Sequence, residues 1–337
     1  MGRRNKAYYK DLHQQAYEKL TAMLALGESK REAAKNGEMQ DKIFSANTYA
    51  TYWKHIKYFL RYVKGEHPEC TTVKKARKYV GEWLRLREEQ GLSAWTVQTE
   101  AKALGKLYGI EPDDEDYYQP PRRRREDIKR SRGQAKRDAH FSEANNAELI
   151  AFCRGTGVRR SEITHLHGDA LRSREELTEQ REALAALPFR TAEQAQELSI
   201  IEDALLFDAP WFLRIKGKGG RVRIAPIIGK SAQKIVERVR QTPADKRVWE
   251  YVSGNADIHS YRADYAGAIH KAHARKIEDI PYDAVHKGTG HLYQRDVYTC
   301  RKDEARKKLD KAAMLLCSKA LGHNRLSIVA DNYLRNL

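Results

Sequence analysis

The 337 residues of this chain are enough for two domains with proper hydrophobic cores. Lys and Arg number 63 against 46 Asp and Glu, a formal charge of +17 and a pI near 9.6; this favours a polyanionic partner, nucleic acid before an acidic membrane. No apolar run approaches the ~20 residues of a membrane span, and no apolar segment follows the charged start from Met1 to Lys6 as a signal peptide requires. Cys70, Cys153, Cys300 and Cys317 lack the spacing of a zinc site or a disulfide frame. The expectation is a cytoplasmic protein with reduced thiols and neither metal nor cofactor.

A first amphipathic helix is predicted over 7–26, with Tyr8, Leu12, Ala16, Leu20 and Met23 at helical spacing. Three helices follow between 45 and 109. The first carries Tyr49, Trp53, Ile56, Phe59, Leu60 and Val63; the second Val73, Ala76, Val80, Trp83 and Leu84; the third starts at the N-cap candidate Ser93. Polar side chains on this bundle, Tyr52, Lys54, Lys57, Thr96, Gln98 and Lys102, suit phosphates and base edges. Segment 111–140 passes from Asp113–Asp116 through Pro120 and Pro121 to Arg122, Arg123, Arg124 and Arg125, then to Lys129–Arg137. It reads as a basic interdomain linker, either a strap that tracks phosphates or a solvated spacer. A second domain over 141–337 opens with a helix through Leu149 and Phe152, and a charged helical stretch over 171–205 restarts near Thr191. Residues 211–227 form a hairpin about Gly217-Lys218-Gly219-Gly220, with Arg221 just beyond. Helices near 231–240 and 259–275 come next, the latter carrying Arg262 as a candidate groove reader.

Four segments carry chemistry. Arg159 and Glu162 lie in Thr156-Gly157-Val158-Arg159-Arg160-Ser161-Glu162; Lys216 and Lys218 lie in the hairpin; Arg301 closes Tyr298-Thr299-Cys300-Arg301. Finally, His323 follows Leu321-Gly322, ten residues before Tyr333. Metal-free phosphodiester transfer needs cations on the nonbridging oxygens, a nucleophile that loses its proton and a leaving 5′ oxygen that gains one. Arginine meets the first need with a planar fork that never deprotonates.

In this order the four segments resemble the catalytic domain of the tyrosine recombinases, the phage integrase family, over roughly 140–337. The 1–110 bundle is compatible with the family's core-binding domain. The resemblance implies a mainly α fold with a small β-hairpin, and residues 171–205 as an insertion of unknown role. It implies Tyr333 as nucleophile, Arg159 and Arg301 as the catalytic arginines, and His323 as a phosphate donor. Lys218 (or Lys216) becomes the acid for the leaving oxygen, and Glu162 the residue that orients a guanidinium.

The implied function is site-specific DNA recombination by an integrase of a mobile element, through a 3′-phosphotyrosyl intermediate and without ATP. The implied partners are duplex DNA with inverted half-sites, a homotetramer across two sites and accessory DNA-bending proteins, with a nucleoid location. Three departures stand out. Tyr298 occupies a position where the family commonly has histidine or lysine, three residues before the second arginine, which leaves the base open, with His291 a substitute. The gap from His323 to Tyr333 is one residue longer than the commonest. The sequence ends at Leu337, where many relatives continue into a segment that docks on a neighbour. Alternative expectations are a catalytically impaired DNA-binding protein of the same fold and a type IB topoisomerase-like relaxing enzyme.

Overall fold

The computed structural model describes residues 11–124, 141–217, 220–301, 304, 306–323, 325–334 and 337. Tyr8, Arg125, the Lys129–Arg137 stretch and Lys218 lie outside them. The chain divides into a unit over Met1–Asp127 and a unit over Ile128–Leu337. Both are built mainly of helices, and the small antiparallel sheets belong to the second. Among the described residues no helix is long and apolar enough to cross a membrane. The four cysteines are free and buried.

The first unit contains α1 (Leu12–Thr21), α2 (Lys30–Lys35), α3 (Ala46–Glu66), α4 (Val73–Ala76), α5 (Val80–Glu89) and α6 (Ala94–Tyr108). Ile56, Phe59, Leu60 and Val63 recur three or four apart on α3 and are fully buried against Val97, Leu104 and Leu107 of α6 and Trp83 and Leu84 of α5. Ser93 caps α6, its hydroxyl accepting from the Thr96 amide at 3.3 Å. Helix α1 stops at Thr21, well before residue 26, because the chain then pairs with Ile43: the Ile43 amide donates to the Met23 carbonyl at 2.7 Å. The single helix expected over 73–84 is broken by a 3-10 turn at Arg77–Tyr79.

Residues 111–124, expected as linker, fold back onto this unit. Tyr117 and Tyr118 pack against its core, the Arg123 guanidinium lies 4.5 Å from the Trp95 ring centroid, and Gln98 donates to the Pro121 carbonyl at 3.0 Å. Arg123 and Gln98, read from sequence as DNA contacts, are therefore spent on internal contacts, and Tyr52 is half-buried beside the core. Lys54, Lys102, Arg122 and Arg124 remain exposed; Lys57 lies over the Trp53 ring and Thr96 pairs with the Ser93 hydroxyl.

The second unit opens with α7 (Ala147–Thr156) and the short α8 (Arg160–Ile163). Strand β1 (Leu171–Ser173) then joins β2 (Trp211–Lys216) and β3 (Val222–Pro226) in an antiparallel sheet of order β1-β2-β3. The 171–205 stretch supplies β1 and two helices, α9 (Arg174–Ala185) and α10 (Ala192–Leu205), the latter capped by Thr191. Residues 174–205 hold eight carboxylates and three arginines, a net −5 inside a chain of +17. Helix α10 is tied to the rest of the unit by Glu197 with Arg214 and by Asp203 with Lys319 at 2.6 Å.

After the sheet come α11 (Ala232–Gln241) and α12 (Ile258–His273). Two small ribbons follow, β4 (Ala284–Val285) with β5 (Leu292–Tyr293) and β6 (Val297–Thr299) with β7 (Lys308–Asp310). The described helices end with α13 (Lys311–Leu321) and α14 (Leu326–Tyr333). Tyr265, Ile269, Met314, Cys317, Leu321, Val329 and Leu334 share one apolar cluster that brings α12, α13 and α14 together.

Candidate active site

Three helix boundaries set the site. Helix α7 ends at Gly157, whose φ of +60° is left-handed; any Cβ there would also fall 2.3 Å from the Tyr265 ring. That turn brings Arg159 to the start of α8. Its guanidinium bonds to Glu162, and the Glu162 carboxylate accepts from the Arg159 amide at 2.7 Å. Helix α13 ends at Gly322, φ +66°, which releases His323 from the helix. Eight residues of α14 then end on Tyr333, 8 % exposed.

These elements bring Arg159, Glu162, His323 and Tyr333 together, as the sequence led one to expect. Arg159 Nη2 lies 3.4 Å from His323 Nε2, which lies 3.2 Å from the Tyr333 hydroxyl. The second arginine beside the phenol is Arg262. Its Nε donates to the Tyr333 hydroxyl at 3.3 Å, and its other nitrogens donate to the carbonyls of Gly157 and Leu321. Arg262 was read as a groove-facing residue, yet it is 1 % exposed. Helical period explains this: Ile258, Arg262, Tyr265, Ala266 and Ile269 form the buried face of α12.

Arg301 is exposed, and no described hydrogen bond, ion pair or ring contact joins it to the cluster. Cys300 belongs to the apolar core that also takes in Tyr333, while Arg301, just past the end of β6, lies at the surface. Tyr298, on β6, packs at the edge of the same core. His291 is exposed in the β4–β5 ribbon, its carbonyl bonded to the His286 amide. The imidazoles at the phenol are instead His323 and His259, with ring centroids 5.3 and 5.1 Å from that of Tyr333. His259 precedes Arg262 by three residues, the same spacing as Tyr298 before Arg301 but with a basic side chain at the first position. A His-x-x-Arg at the start of α12, with the arginine inside an apolar stripe, was the signal available in the sequence.

A further arginine, Arg223 on β3, was not singled out from sequence. It is 6 % exposed and grips Glu162 with Nη1 at 2.7 Å and Nη2 at 2.8 Å. The hairpin loop also reaches the cluster: a side chain grown at Gly217 would begin 3.0 Å from Glu162 Oε1 and 3.6 Å from Arg159 Nη1. Lys218, the next residue, lies outside the described set. Lys216 and Arg221 are exposed on either side of that loop.

Three guanidiniums thus surround one carboxylate. Burial alone would push the Glu162 carboxyl up, but the bonds and charge of Arg223, helped by Arg262, hold it at about 2. Burial, then the Arg223 charge, lower Arg262 to about 10, so it stays cationic at neutral pH. Burial, then Arg262 and Arg159, push His323 down to about 4. Its Nε2 faces only donors, the Arg159 guanidinium and the Tyr333 hydroxyl, which fits a neutral imidazole accepting at that atom. Partial burial, then the Arg262 charge, push His259 down, although the residue is exposed and the effect is correspondingly weak.

The histidines predict a pH dependence. Each binds its proton more weakly folded than unfolded, so their stabilisation is whole above about 6.5 and is lost as pH falls below it, through about 4 for His323. The thermal midpoint should drop between pH 7 and pH 4, by an amount equivalent to at most about 3 kcal/mol from His323 after allowance for solvent screening. His323→Asn should flatten that limb, and an unchanged slope would contradict the assignment. Neither a family model nor a curated protein matches this sequence.

Proposed function

We propose that this chain is a DNA strand transferase of the tyrosine-recombinase type, acting on duplex DNA through a covalent 3′-phosphotyrosyl intermediate. The observation that carries the reading is the Tyr333 hydroxyl. It lies within hydrogen-bond reach of a buried guanidinium on one side and a neutral imidazole nitrogen on the other. In this mechanism the Tyr333 oxygen attacks phosphorus while its proton passes to His323 Nε2. Arg159 and Arg262 compensate the charge that grows on the nonbridging oxygens. The bond from phosphorus to the 5′ oxygen breaks, and that oxygen takes a proton from a general acid, the role the family resemblance gives to Lys218. The new phosphotyrosyl bond retains the energy of the broken one, so a free 5′-hydroxyl on another strand reverses the step without ATP.

A nucleic-acid substrate fits the overall charge of +17 and the exposed Lys54, Lys102, Arg122 and Arg124 of the first unit. Inverted half-sites, a tetramer across two sites, accessory bending proteins and a mobile-element context follow from the resemblance and are part of the proposal. The test is covalent capture. The full chain is incubated in EDTA with a library of nicked duplexes randomised across the central segment, and SDS-stable adducts are collected. Wild type should yield adducts and Tyr333→Phe none. Tight DNA binding without any adduct would overturn the strand-transfer reading in favour of a DNA-binding protein that does not cut.

A further inference from the structure

Arg223 has no place in the chemistry above, yet its guanidinium makes four described hydrogen bonds within the cluster, against three each for Arg159 and Arg262. Its two Nη atoms hold both oxygens of Glu162, its Nε donates to the Ala320 carbonyl at 2.9 Å, and Nη2 also reaches the Gly157 carbonyl at 3.4 Å. Those partners belong to three elements. Glu162 sits on α8 and in turn binds Arg159; Gly157 ends α7; Ala320 lies in the last turn of α13, three residues before His323. Arg223 itself sits on the hairpin strand paired with Ile215, and Gly217 bonds back to Arg221 at 2.7 Å. A Cβ at Gly322 would fall 3.0 Å from Arg223 Cδ, so the turn that releases His323 is moulded on this side chain.

We propose that Arg223 is a positioning residue of the active site: through Glu162 it fixes the Arg159 guanidinium, through Ala320 it fixes the turn before His323, and it locks both to the base of the hairpin. This rests on the strand-transfer reading. Arg223 does not touch the Tyr333 hydroxyl, so its effect passes through other groups. A lysine could keep the charge but could not hold two carboxylate oxygens and a carbonyl in one plane.

The test uses the captured duplexes and the full-length protein. Single-turnover adduct formation and DNA binding by gel shift are measured for wild type, Arg223→Lys and Arg223→Met over a range of pH. We expect Arg223→Met to slow adduct formation by roughly 10²-fold, as a displaced charge-stabilising donor does, with DNA affinity changed less than about threefold because Arg223 is shielded from substrate. Without Arg223, Glu162 takes up its proton at higher pH, so the acid limb of the rate profile should move up; Arg223→Lys should lie between. That displacement separates positioning from a general loss of stability, and Arg223→Lys keeps the test open should the methionine variant fail to fold. Wild-type rate and pH profile in both variants would overturn the inference alone. Failure of wild type itself to form adducts would overturn the parent reading, and this inference with it.

Discussion

Arg262→Met should slow covalent adduct formation by roughly 10²–10³-fold, whereas Arg301→Met should leave it within about threefold, as expected for the loss of a buried charge-stabilising donor against a solvated side chain. Under the proposed strand-transfer mechanism, Arg262 takes the place beside the phenol that the sequence suggested for Arg301. Arg301 has the motif context, but it is exposed, next to Cys300, which belongs to the buried core. Arg262 lacks that context, but its Nε reaches the Tyr333 hydroxyl and its carbonyl partners fix its plane. Arg262→Lys would retain charge but not this geometry and should recover little of the rate. The measurement is single-turnover adduct formation on captured duplexes. Equal losses at both positions would mean that Arg301 joins the site when DNA is bound. A loss at Arg301 alone would refute the placement of Arg262.

The second large effect is on stability. Glu162→Gln should cost about 3–5 kcal/mol in urea unfolding, the range for removing one member of a buried ion pair. Glu162 is 2 % exposed, and it is the carboxylate shared by Arg159, Arg223 and Arg262, the last at 3.8 Å. Glutamine keeps the shape but leaves the guanidiniums to repel one another in a poorly solvated space. Sulfate, a tetrahedral dianion that can bind several arginines, should restore part of the loss and stabilise the variant more than wild type. A cost below about 1 kcal/mol, typical of a surface pair, would show that solvent reaches the cluster far more freely than its burial indicates.

Much of the framework was legible because it rests on local rules. Ser93 and Thr191 mark helix starts through a hydroxyl facing a free amide. The glycine-rich loop marks the hairpin, and Leu321-Gly322-His323 marks a helix end. The spacing from His323 to Tyr333 is one short helix, so it survives folding almost unaltered. Arg262 was read as a groove-facing residue because charge suggested a solvent face, while its neighbours at helical spacing, Ile258, Tyr265 and Ile269, already marked the buried one. Arg223 was missed because its partners are 61 and 97 residues away in sequence, and no local pattern encodes such pairing. Segment 111–124 read as linker from its acids and prolines; the signal against that was the pair Tyr117 and Tyr118, which the core takes in.

The acidic α9–α10 hairpin concentrates negative charge in one part of a basic chain. Its −5 lies in one contiguous stretch, and ion pairs from Glu197 to Arg214 and from Asp203 to Lys319 moor α10 to the framework. Within about a Debye length of a polyanion that stretch would be repelled while basic surface is drawn in, so an approach presenting the α9–α10 hairpin would be disfavoured. Reversing those carboxylates to lysine would raise the total charge and strengthen the pull, yet it would take away that bias.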